Sequence, residues 1–111
     1  MKIFGLKQKA SASGNGECIL GSQDTGSHAC YMIYGLMKPH EKARLINPGE
    51  GHEEILLAIK GDLDITGYYT ICLEEGSACH IKGNHECFLE NKDESDAVYV
   101  IAGGHAEKSH H

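Results

Sequence analysis

The chain has 111 residues, 41% of them hydrophobic, and a formal net charge of −6, which is enough for one domain with a single core. Ordinary apolar content excludes global disorder. Negative charge with scattered Lys and Arg excludes nucleic acid as a partner, because binding phosphates takes clustered cations.

No apolar run is long enough to span a membrane. The charged start, residues 1–9, is followed by no apolar stretch and so does not read as a signal peptide. The five cysteines (Cys18, Cys30, Cys72, Cys79 and Cys87) are odd in number and form no CxxC pair. Free thiols in a cytoplasmic chain are therefore expected rather than a disulfide framework.

Residues 1–27 are expected to be an irregular entry segment holding one short strand at Glu17–Leu20. Its residues 10–26 are small, polar and rich in Gly. Gly14-Asn15-Gly16 is not a dinucleotide loop, since no strand precedes it and no helical pattern follows. From residue 28 the strand signals recur at short intervals. Tyr31, Ile33 and Tyr34 favour a pleated surface over 28–36. A short strand at 42–46 stops at the turn Asn47-Pro48-Gly49. Strands follow at 52–60, 62–66, 68–73, 78–81, 86–90 and 97–102, divided by Gly61, Gly67, Glu74-Glu75-Gly76-Ser77 and the acidic turn 91–96. No stretch keeps an apolar period of 3.6 residues, so the spacing predicts an all-β sandwich or barrel over 28–104 with a tail at 105–111. The closing His110-His111 is set aside.

Along 52–60, one face presents His52, Glu54, Leu56, Ala58 and Lys60, and the other Glu53, Ile55, Leu57 and Ile59. Both faces are apolar in the middle. Such a strand is expected to be covered on both sides, the second cover being the N-terminal strand or another subunit of a homodimer.

Over 36–104 the sequence resembles a small single-domain cupin, a double-stranded β-helix or jelly-roll barrel. The first cupin motif closes with a Glu, six residues and a Gly, and Glu54 and Gly61 keep that spacing. Gly76 and Asn91 stand at the two ends of the second motif, and 97–104 is similar to the closing strand. The His-x-His of the first motif is absent, its place taken by Asn47-Pro48-Gly49-Glu50. In the second motif Lys82, Asn84 and Cys87 replace Pro, Gly and His, with His85 two residues earlier.

The resemblance implies that Glu54 faces the lumen, and strand alternation then turns His52 the same way; an inward Cys87 likewise carries His85 with it. Imidazole, carboxylate and thiolate suit a divalent transition metal such as Zn, Fe, Ni or Mn. The expected site is His52, Glu54, His85 and Cys87, with His40 or His80 as replacement ligands and His28 and His105 at the ends of the matched region. Against it stands the plainer reading of satisfied strand histidines, a buried Cys87 and solvated carboxylates at Glu53 and Glu54.

His52-Glu53-Glu54-Ile55-Leu56 lacks the second His of a zincin helix. A nucleophilic pair of Cys87 with His80 or His85 would need a hydrogen bond that sequence distance does not establish. Tyr31, Tyr34, Tyr68, Tyr69 and Tyr99 read as core residues or pocket lining. Two functions follow as expectations. One is a metal-binding cupin with dioxygenase- or isomerase-type activity on a small polar metabolite. The other is a metal-free barrel that binds or senses a small ligand.

Overall fold

The computed structural model describes Met1–His105. Nine strands are found among these residues: β1 (Glu17–Leu20), β2 (Cys30–Met37), β3 (Arg44–Ile46), β4 (His52–Lys60), β5 (Leu63–Gly67), β6 (Ile71–Leu73), β7 (Ala78–Lys82), β8 (Cys87–Glu90) and β9 (Ala97–His105). They build two antiparallel sheets, one ordered β1-β2-β9-β4-β7 and the other β3-β8-β5-β6. The chain alternates between the sheets as a jelly roll does.

Leu56, Leu63, Ile65, Ile81, Leu89, Tyr99 and Ile101 fill the space between the sheets. The turns that reverse the chain rest on Gly61 and Gly67, with φ of 79° and 103°, a left-handed region that costs a residue with a side chain free energy.

Observed strands begin or end within a few residues of the predicted ones. β3 starts at Arg44 because Ala43 is left-handed at φ 62°. β6 starts at Ile71 because Tyr68 and Tyr69 leave the ladder, the Tyr68 amide turning to the carbonyl of Glu86.

The entry segment is more ordered than its composition predicts. It carries two short helices, α1 (Leu6–Ala12) and α2 (Ser22–Thr25). Only Ala10 of α1 is buried, so the helix leaves no apolar period for a sequence reading to find. The N-terminal strand also does not cover β4. It pairs with β2 at the sheet edge, and the outward Ile55 and Ile59 of β4 stay 52% and 47% exposed. Of the predicted tail 105–111, all but His105 lies outside the described residues. Among the described residues no helix is long and apolar enough to cross a membrane.

Candidate functional site

Glycine inside a strand leaves room above itself, and two such gaps organise the lumen. On one row Tyr31 of β2, Gly103 of β9 and Glu54 of β4 are in register. The Tyr31 ring lies over Gly103, and its hydroxyl donates to the Glu54 carboxylate. Four residues along, the arrangement repeats in reverse: Tyr99 of β9 lies over Gly35 of β2, and its hydroxyl donates to Glu17 of β1. Arg44 of β3 joins this second row, donating to the Tyr99 oxygen at 3.2 Å and to Glu41 at 2.5 and 3.0 Å. The sheet thus carries one buried carboxylate, Glu54, and one half-buried, Glu17, each accepting from a tyrosine that crosses a glycine.

Burial, then the hydrogen bond to Glu54, raises the Tyr31 phenol above its ordinary range, which keeps it a proton donor. Glu54 is 5% exposed. Desolvation is the main cause that raises its carboxyl above the ordinary value; the Tyr31 hydroxyl opposes it, Glu17 adds to it, and His52 opposes it. Folding therefore holds the Glu54 proton more tightly than the unfolded chain does. Below the ordinary carboxylate range both states are protonated and the group costs nothing. As pH rises, the unfolded chain ionises first and stability falls until folded Glu54 ionises too. Glu54→Gln stays neutral and keeps an acceptor for Tyr31. It is expected to be about 1 kcal/mol more stable than the parent near neutral pH and to lose that advantage in acid. Urea denaturation at both pH values measures this, and equal differences at the two would remove the carboxylate as the cause.

The four expected metal donors fall into two groups. His52 shares the lumenal face with Glu54, as alternation predicts, and its ring packs 4.8 Å from that of His105 and 6.0 Å from that of Tyr31. Cys87 is wholly buried, its thiol reaching the His85 carbonyl at 3.5 Å. His85 does not follow Cys87 inward, because it precedes β8 in a turn closed by its own amide on Lys82. Its ring stacks on Tyr68 at 3.8 Å, and Nδ1 meets the Tyr69 hydroxyl at 2.8 Å.

The suggested replacements face outward: His80 meets Glu53 at 2.6 Å and His40 meets Glu94 at 3.2 Å. Among the described residues neither the His80 nor the His85 ring hydrogen-bonds the Cys87 thiol, which donates to the His85 carbonyl instead, so the nucleophilic pair has no geometry behind it. Among the described residues no three of His, Cys, Asp and Glu are placed to hold one metal ion. The donors present do not fit the metal that the cupin resemblance implies.

Sequence reasoning gave no site role to Glu17 or Arg44 and treated Tyr31 and Tyr99 as general strand tyrosines. The signal that could have found these rows is Gly35 and Gly103, each inside a strand run.

His85 instead builds a wall. Held against it, Tyr69 closes a cleft of about 270 Å³ between the sheet edges, lined also by Ile65, Thr70, Ile71, Cys79, His80 and Ile81. The cleft opens where β7 and β6 end their sheets.

No family model matches the sequence, and no curated protein matches it. Solved structures match the architecture at low identity. The cupin domain of Schizosaccharomyces pombe Cnp3 superposes with a TM-score of 0.62 at 6% identity, over 70% of this chain and 54% of its own. The chain has the cupin fold. Oxalate oxidase in complex with the substrate analogue glycolate gives a TM-score of 0.67 at 18% identity, over 86% of this chain and 54% of its own. A Thermus thermophilus protein gives 0.70 at 17% identity, over 95% of this chain and 98% of its own. This cupin barrel thus spans about half the length of two of these neighbours and nearly all of the third.

Proposed function

We propose that this chain is a metal-free cupin module that binds a small ligand in the cleft beside Tyr69. The observation that carries the reading is the hydrogen bond from Tyr31 to Glu54. The carboxylate at the motif's Glu position already has a proton donor, while Cys87 packs in the core and His85 is held by two tyrosines. Dioxygenase- or isomerase-type chemistry at a metal would need those donors to converge. The likeness to oxalate oxidase carries the fold alone.

The cleft lining is mainly aliphatic and aromatic, which suits a compact apolar ligand with one polar group for Tyr69 or Thr70. Elemental analysis of untagged protein, prepared without chelating resin and then reconstituted anaerobically with Fe, Mn, Ni or Zn, tests the metal-free part. Only trace metal is expected. A stoichiometric ion that disappears in His52→Ala/His85→Ala would overturn it. Titration with indole tests the cleft: saturable binding is expected, with a loss of at least about tenfold in Cys79→Phe, which fills the space.

A homodimer belongs to the same reading. Met32, Ala102 and Ile55 lie side by side across β2, β9 and β4 and remain exposed, and a second copy packed on this row would bury it. Light scattering showing a monomer at high concentration would remove that part.

A further inference from the structure

A second cavity lies apart from the one beside Tyr69. It measures about 490 Å³ and lies where the segment after α1 folds over the end of β2, with Ser13, Asn15, Lys38, Glu41, Arg44 and Asp96 among its lining residues. We infer that this cavity is a second binding site, for a small zwitterion of the free amino-acid type.

Its construction is the first argument. The Arg44 side chain is 10% exposed and tied to Glu41 and Tyr99. The roof rests on Gly16, whose carbonyl accepts the Leu36 amide at 2.7 Å. Gly16 has φ 72°, and an added Cβ would come within 3 Å of both the Leu36 carbonyl and Arg44 Nη2, so no side chain intrudes between roof and guanidinium. The loop that delivers Glu41 and Arg44 contains two left-handed residues that are not glycine, His40 at φ 63° and Ala43 at φ 62°. Backbone strain of this kind persists only where the surroundings enforce it, and it gathers at binding sites. Asn91 supplies the enforcement by clamping the carbonyls of Met37, Lys38 and Ser95.

Charge is the second argument. Arg44 and Glu41 neutralise each other. Among the described residues Lys38 and Asp96 form no ion pair, which leaves one cation and one carboxylate on the same cavity. Three of the five N–H donors of Arg44 are engaged, so two remain unengaged. A ligand carboxylate can meet Lys38 and Arg44 while its ammonium meets Asp96. A simple anion or cation would engage only one of the two sides. The hydroxyls of Ser11 and Ser13, which donate to the Lys7 carbonyl and the Asn15 side chain, can still accept from a polar ligand side chain.

Nuclear magnetic resonance titration of the whole chain tests this with glycine, L-serine and L-glutamine, and with acetate and methylammonium as single-charge controls. The amino acids are expected to saturate shifts at the Gly16 amide and Arg44 Nε, binding at least about tenfold more tightly than either control. Lys38→Ala and Asp96→Asn change exposed residues and should leave the fold intact while weakening that binding at least about tenfold. Cys79→Phe, in the other cleft, should leave it unchanged. No saturable shift with any amino acid, acetate binding as tightly as glycine, or full affinity in Lys38→Ala would each overturn the assignment.

Discussion

Gly35→Ala is expected to destabilise the protein by about 3 kcal/mol, the upper end for overpacking a core. A methyl at this position would lie well inside 3 Å of three atoms of the Tyr99 ring. That ring cannot step aside cheaply. Tyr99 is wholly buried, and its hydroxyl is fixed between Arg44 and Glu17. Relief therefore requires either breaking the hydrogen bonds to Glu17 and Arg44 or spreading β2 from β9, where eight residue pairs are in register. Urea denaturation measures the effect, with Gly14→Ala as the control, since nothing lies within 4 Å of its added methyl. A loss no larger than the control's would mean that Tyr99 has another place to go. Gly103→Ala meets the Tyr31 ring in the same way, but Tyr31 is only half-buried. It should cost less and detach the phenol from Glu54.

Asn91→Ala should cost a similar amount, about 3 kcal/mol, by leaving polar groups unpaired. Asn91 is wholly buried. Its amide nitrogen serves the carbonyls of Ser95, Lys38 and Met37 at 2.9, 3.0 and 3.4 Å, and its oxygen receives the Asp93 amide at 3.1 Å. One side chain thus fastens the end of β2 to the acidic turn before β9. Beyond lost stability, Asn91→Ala should speed amide exchange at the Glu41 amide, which bonds the Lys38 carbonyl. Asn91→Asp should be at least as damaging, because a carboxylate would face three carbonyl oxygens. Unchanged exchange in Asn91→Ala would show that the loop is held by something else.

The strand order along the chain could be read directly from the residues. Short β-branched and aromatic runs set apart by Gly61, Gly67 and Gly76 are a local signal, and local chemistry reaches only a few residues. The inward position of Glu54 was legible too, because it keeps its place in a spaced motif; Asn91 could be placed at the end of the second motif, but its hold on three carbonyls could not be read. α1 was not legible, since a seven-residue helix burying one alanine has no period to detect.

The site was mostly beyond sequence reasoning. Alternation correctly carried His52 to the face of Glu54, yet it failed for His85, because a turn restarts the count before β8 begins. Tyr31 meets Glu54, and Tyr99 meets Glu17, only because antiparallel pairing sets residues from three strands side by side with a glycine between them. Sequence separations of 23 and 82 residues hide both pairs. Periodicity tells which way a side chain points. Which partner it finds depends on register between distant strands, and only the packed sheets decide that.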